Sequence, residues 1–265
     1  MRMVTQTRWS EALEREKSVT VVLPPSYTSH GKPFPVLYLL HSYGGNRRSW
    51  LNCPTLTACV TGHRMILVLP ESGRYWLIND VAGRRYEDYL VRDVVRQVDG
   101  EFNTVASSAG RAVAGFSMGG ATAVFQALRH PDLFSVAGSH SGAFEAPLRV
   151  GDPYAAHRAD RRLMMPTVKD HERVWGPVGS AVRRTYDPGR LLAERDPKAL
   201  LRVYADVGLN DHERMILMNR RMRDALITHT VDHVYGERAG GHDWQFVDAG
   251  LHQLFGFVQD AVDGA

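Results

Sequence analysis

Short apolar, β-rich runs alternate along this chain with longer stretches of helical periodicity, and that alternation admits few folds other than a mostly parallel sheet covered by helices. The runs are Ser18–Leu23, Val36–Leu40, Met65–Leu69, Arg111–Gly115, Phe134–Ser139, Leu201–Val207 and Val231–Gly236. Several are almost wholly apolar, as strands buried on both faces must be. Between them, Tyr86–Phe102 places Tyr86, Tyr89, Leu90, Val94, Val98 and Phe102 on one helical stripe, with Arg92, Arg96 and Asp99 largely off it. Further helices are predicted over Ser117–Arg129, Asp211–Ile227 and Trp244 to about Val262. The segment Glu145–Lys198 breaks the rhythm; it is rich in Arg, Pro and Gly and too long for a bare loop. It is predicted to hold short helices, one near Asp187–Leu192, and to lie as an insertion over one end of the sheet. The expected architecture is therefore α/β, with residues 1–265 as one domain and 145–198 as a lid-like insertion within it.

Composition excludes several function classes. At 44% hydrophobic and 23% charged residues the chain has the balance of a globular protein, not of a disordered or fibrous one. Its apolar runs, such as Val36–Leu40, fall far short of the roughly 18 residues needed to span a bilayer. Met1–Lys17 has no continuous apolar stretch of the kind a secretory leader carries, so a cytoplasmic location is expected. The net charge of +3 comes with no run of five basic residues, so neither a nucleic-acid nor a membrane-surface patch is expected. Between Glu145 and Lys198, eleven Lys/Arg face eight Asp/Glu, which accounts for the whole excess and reads as a solvated face. Cys53 and Cys59 form neither a zinc nor a redox pattern and read as reduced, part-buried thiols. His229 and His233 stand four apart at the entry to a strand, not on a helix, so a structural role is expected of them and no metal site. Nothing in the sequence speaks to the oligomeric state.

The chemistry concentrates around Gly115-Phe116-Ser117-Met118-Gly119. A bare Gly-x-Ser-x-Gly recurs by chance in about one chain of this length in ten, given ordinary Gly and Ser usage. Here an apolar strand precedes it directly and a helix comes directly after, which is the context of a nucleophile elbow. Such a turn lifts the serine hydroxyl out at the helix N-terminus, where free N–H groups favour developing negative charge. The bland alternative is a Gly-rich turn for tight packing, with Ser117 as a helix cap.

A serine hydroxyl needs a base, and the base needs a carboxylate to orient it. In this architecture the chain order is Ser, acid, His. His242, in Gly240-Gly241-His242-Asp243-Trp244 between the last strand and the last helix, is the base candidate; His130, His229, His233 and His252 are less well placed. Two carboxylates compete for the third role. Asp211 lies past the turn Gly208-Leu209-Asn210, where it can reach a loop histidine or cap the next helix, whereas Asp206 is still at the end of its strand. Asp211 is preferred. Oxyanion donors are expected from the backbone amides of Met118 and of Tyr43, in the turn Leu40-His41-Ser42-Tyr43-Gly44-Gly45. His41, Trp76, His140 and Trp175, with Tyr75 and Phe144, are the candidate pocket-lining side chains, each with core packing as its alternative; His41 could equally orient its loop.

Taken together, Leu39–Gly45, Leu69-Pro70-Glu71-Ser72-Gly73, Gly115–Gly120, His130-Pro131-Asp132-Leu133-Phe134, Ser139-His140-Ser141-Gly142 and Gly240–Trp244 resemble the esterase D-like branch of the α/β-hydrolases. That branch includes S-formylglutathione hydrolases, feruloyl and acetyl-sugar esterases, tributyrin-type carboxylesterases and mycobacterial mycolyltransferases. The resemblance runs from about residue 17 to 260. It implies Ser117 as nucleophile, Asp211 as acid, His242 as base and the Tyr43 and Met118 amides as oxyanion donors, with no cofactor and no metal. Ser42 stands where many members carry Gly, and the Cys-containing stretch usual in glutathione-thioester hydrolases is missing. A secretion signal, expected of mycolyltransferases, is missing too. A small-molecule ester with a short acyl group is the expected substrate. An acyltransferase using the same acyl-enzyme and a non-catalytic binding protein are the alternatives.

Overall fold

The computed structural model describes residues 1–155 and 165–264; residues 156–164, within the segment expected to form an insertion, lie outside the described part. Eight strands form one sheet in the order β1-β2-β4-β3-β5-β6-β7-β8. The strands are β1 (Arg2–Ser10), β2 (Arg15–Leu23), β3 (Val36–Leu40), β4 (Ile66–Leu69), β5 (Arg111–Phe116), β6 (Val136–His140), β7 (Arg202–Gly208) and β8 (Asp232–Arg238). From β4 to β8 all neighbours run parallel, while β2 pairs antiparallel with both β1 and β4.

The seven predicted runs all form strands, with ends shifted by a few residues. The sequence reading missed β1. It is an edge strand, mostly exposed along its length, so no apolar face marks it out; Met3 and Trp9 point to solvent. Its β-branched Val4, Thr5 and Thr7 suit a strand, and Glu14 at φ 50° turns the chain back into β2.

Both faces of the sheet are covered. On β3, Val36, Tyr38 and Leu40 face one layer and Leu37 and Leu39 the other, and all five are buried. The first layer is built by α2 (Tyr86–Asp88), a π-helical stretch over Tyr89–Val94, α3 (Val95–Glu101), α4 (Met118–Arg129) and α8 (Glu213–Thr228). The second belongs to α1 (Leu56–Gly62) and α9 (Trp244–Asp263). Each side chain fully removed from water, such as Phe125 or Phe255, contributes about 1.5–3 kcal/mol. In the segment 145–198, the described helices are α5 (Val168–Trp175), α6 (Ala181–Thr185) and α7 (Pro188–Glu194), the last starting on an Asp187 cap where a helix is expected. Trp175, Tyr186 and Leu192 from this segment are buried in the first layer, so this part of it is anchored to the core. Cys53 and Cys59 are buried free thiols. Among the described residues no helix is long and apolar enough to cross a membrane.

The strand order reverses at β3: the chain goes to β4 on one side and to β5 on the other. In open α/β sheets the crevice at the carboxyl ends beside such a reversal is where ligands bind. The loop after β3 and the turn after β5 flank it here.

Candidate active site

Ser117 links β5 directly to α4 and holds φ 55°, ψ −111°, in the left-handed half of backbone space that side chains rarely occupy. The neighbouring glycines allow this turn. A Cβ on Gly115 would sit 2.3 Å from the Gly119 carbonyl carbon, and one on Gly119 would sit 2.3 Å from the Leu40 oxygen. The strand, the turn and the helix therefore approach more closely than any residue with a side chain permits. The Ser117 N–H donates to the His140 carbonyl at 2.9 Å and its own carbonyl accepts from the Ala143 N–H at 3.1 Å, which holds the turn against the end of β6.

His242, from the loop between β8 and α9, stands with Nε2 2.9 Å from Ser117 Oγ and Nδ1 2.9 Å from Asp211 Oδ2. Three side chains distant in sequence thus form one hydrogen-bonded chain. The Asp211 carboxylate is fully buried, and its Oδ1 accepts the His212 N–H at 2.7 Å. Asp211 therefore serves the histidine and the start of α8 with different oxygens. The imidazole rests 4.9 Å from the Phe116 ring, which is packed edge-on by Trp244. With Nδ1–H donated to the carboxylate, Nε2 is left as the acceptor toward Ser117, the tautomer a general base needs.

The Asp211 and His242 loops are tied together through backbone. Leu209 N–H donates to the Arg238 carbonyl at 2.8 Å and Asn210 N–H to the Gly240 carbonyl at 2.9 Å. A Cβ on Gly208 would lie 2.3 Å from the Gly240 oxygen, so a glycine is needed at this crossing.

Ser117 and His242 open on a cavity of about 700 Å³, whose walls include Tyr43, Trp76, Phe116, Met118, Met215 and Trp244. Tyr43 and Met118, the two residues expected to donate oxyanion amides, both border it. The Met118 N–H is the first of α4 and so has no partner inside the helix. Tyr154, Met165, Pro166, Asn210 and His212 also line the cavity and were missed by the sequence reading; they come from irregular segments, where no periodicity marks a residue as inward-facing.

Of the expected lining residues Trp76 borders the cavity, but the other five do not: Tyr75 stacks on Tyr86 with 5.3 Å between ring centres, Phe144 is buried against Phe125, and His41, Trp175 and His140 are held away from it. His41 is 1% exposed: it hydrogen-bonds the Ser42 carbonyl through Nδ1 at 2.7 Å and accepts the Ser72 N–H on Nε2 at 2.9 Å. Burial pushes its imidazole below the ordinary histidine range, and in the neutral form it pins the loop that carries Tyr43. Trp175 is fully buried against Trp76, 5.1 Å between rings, so it supports a wall without forming one. His140 is fully buried, its Nδ1 2.7 Å from Asp206 Oδ1, because the last residue of β6 points into the layer under α9. Asp206 also accepts from Tyr204 Oη at 2.7 Å and Arg238 Nη2 at 2.8 Å. Burial raises its pKa, but His140 and Arg238 outweigh that and hold it below the usual carboxylate range. The competing acid is thus already fully engaged one layer beneath the site. Among the described residues no group of three or more His, Cys, Asp or Glu side chains is placed to hold a metal ion.

Several known proteins resemble this chain in sequence or in fold. A protein of Mycobacterium tuberculosis named an esterase is 35% identical over 142 residues, an alignment that spans 50% of this chain and 30% of that protein, so the chain matches less than a third of the relative's length. An acetyl esterase of Caldicellulosiruptor saccharolyticus is 22% identical over 96% of this chain and 97% of its own. Among solved structures, an S-formylglutathione hydrolase of Staphylococcus aureus superposes with a TM-score of 0.80 at 21% identity, covering 97% of this chain and 99% of the other. At that identity the likeness establishes the α/β-hydrolase fold. The sequence model of the family described as "Putative esterase" matches residues 10–256, and the chain belongs to that esterase family.

Proposed function

We propose that this protein is a serine carboxylesterase acting on small esters with short acyl groups, through an acyl-enzyme on Ser117. The observation that carries this reading is the continuous chain Ser117 Oγ, His242, Asp211, at 2.9 Å and 2.9 Å, opening on the cavity. His242 takes the hydroxyl proton as Oγ attacks the ester carbonyl, and Asp211 stabilises the imidazolium that forms. The carbonyl oxygen becomes an oxyanion facing the Met118 and Tyr43 amides, each such donor being worth about 10²–10³ in rate. His242 then protonates the leaving alcohol. Water, deprotonated by the same ring, attacks the acyl-enzyme and frees the acid. The family membership and the acetyl esterase relative support an ester as substrate. The aromatic wall of Trp76, Phe116 and Trp244 supports a compact acyl or alcohol group.

A p-nitrophenyl ester series from acetate to decanoate, run on the wild type and on Ser117→Ala, tests the reading. Turnover best at the short end and lost in the variant is expected. A preference for decanoate would overturn the short-acyl assignment, and no turnover of any ester would favour a binding protein on the same scaffold.

A further inference from the structure

We infer that Asp206, acting with His140 and Arg238, is a positioning residue that holds the Ser117, Asp211 and His242 segments in register without touching the reacting atoms. The inference rests on the proposed roles of those three. Its basis is where the strands end. Phe116 on β5 pairs with His140 on β6, His140 with Asp206 on β7, and Asp206 with Gly236 on β8, so one row of residues crosses the sheet just beneath the site.

Each candidate catalytic residue leaves from this row. The His140 carbonyl accepts the Ser117 N–H at 2.9 Å. Its ring is held through Nδ1 by Asp206 at 2.7 Å, and the Asp206 carbonyl takes the Ser141 N–H at 2.7 Å. Ser141 itself stands at φ 46°, so the backbone beside the elbow is held in an unfavourable conformation by these contacts. Two residues beyond Asp206 the chain enters the Asp211 turn. Arg238, at the end of β8, binds the Asp206 carboxylate through Nη2 at 2.8 Å and Nε at 3.2 Å, and reaches the Phe246 carbonyl in the first turn of α9 at 3.3 Å. Its own carbonyl takes the Leu209 N–H at 2.8 Å, so one residue braces both the turn before Asp211 and the loop that carries His242. The guanidinium also lies 4.2 Å from the centre of the Phe246 ring.

A buried carboxylate with donors from three elements costs desolvation that an apolar trio would avoid, so its stability contribution alone does not account for it. What it supplies is direction. Charge-assisted hydrogen bonds fix orientation where apolar contacts allow sliding, and a displacement of about 1 Å at a reacting group can cost about 100-fold in rate.

The experiment measures kcat and KM for p-nitrophenyl acetate in wild type, Ser117→Ala, Asp206→Asn, Arg238→Met, Arg238→Lys and Tyr204→Phe, with thermal melting of each. The expected result is a fall of about 10- to 100-fold in kcat, with KM within about twofold, for Asp206→Asn and Arg238→Met. Arg238→Lys should recover part of that loss, and Tyr204→Phe, which removes one of the carboxylate's donors, should show a smaller one. If Asp206→Asn fails to fold, the Arg238 and Tyr204 variants decide the matter. Variants that melt earlier but keep wild-type kcat would overturn the inference and leave the network purely structural. Activity surviving in Ser117→Ala would instead overturn the proposed reaction, which separates the two failures.

Discussion

Replacing Asp211 by Asn removes one charge and one acceptor from the site, and the hydrogen bonds around that carboxylate fix the consequence. It accepts two N–H groups, His242 Nδ1–H at 2.9 Å and the His212 backbone amide at 2.7 Å. An asparagine has one acceptor oxygen and one NH₂ group, so either orientation sets a donor against a donor in a fully buried position. The backbone amide cannot change its proton, but the imidazole can. The amide oxygen should therefore stay with His212, and His242 should move its proton to Nε2, where it no longer accepts from Ser117. A base held in the wrong tautomer lowers kcat by about 10⁴ in the Ser-His-Asp enzymes where this substitution is known, or about 5.4 kcal/mol of barrier. A kcat loss of about 10³–10⁴ for p-nitrophenyl acetate is expected, with KM nearly unchanged. Asp206→Asn should lose about 10- to 100-fold. Equal losses in the two variants, or the reverse ranking, would refute the assignment of Asp211, provided both variants melt as folded proteins.

Gly119→Ala should destabilise the fold by about 1–3 kcal/mol and abolish esterase turnover, since its Cβ would meet the Leu40 and His41 backbone oxygens at 2.3 and 2.7 Å; melting and activity at near wild-type levels would show that the elbow yields. His171, 4% exposed, is driven down to about 3 by burial and then by Arg149 and Arg183, so it stays neutral in the folded protein while it protonates in the unfolded chain near pH 6.5. Its contribution is complete above that pH and is lost as pH falls, at up to about 1.4 kcal/mol per unit. Between pH 6.5 and 5.5 the buried Glu87, lowered to about 2, is ionised in the folded protein and almost wholly so in the unfolded chain, so it adds little slope. His171→Gln should therefore flatten the fall of Tm with pH in that window, and an unchanged slope would refute the assignment.

Burial decided which features the sequence disclosed and which it hid. Strands covered on both faces, such as Val36–Leu40, announce themselves as unbroken apolar runs, and the Gly pattern around Ser117 states its own steric need. β1 left no such signal because water covers most of it. His140 and His41 looked like site residues because they adjoin site loops in sequence; strand alternation turns one inward and a hydrogen-bonded loop encloses the other. The choice between Asp206 and Asp211 was open in one dimension, since both precede the same helix. It narrows once β7 is seen to run on to Gly208, which keeps Asp206 inside the sheet beside Arg238 and carries Asp211 out to His242. Arg238 itself was invisible to pattern reading, because its side-chain partners, Asp206 on β7 and Phe246 on α9, come from other elements.

The central claim is that Ser117 forms a covalent acyl-enzyme. A fluorophosphonate probe, which phosphonylates the activated serine where an acyl group would attach, identifies that nucleophile when combined with digestion and peptide mass spectrometry. One adduct should form per chain, on the peptide containing Ser117, and it should disappear in Ser117→Ala together with ester turnover. An adduct at another residue, or an active Ser117→Ala enzyme, would contradict it.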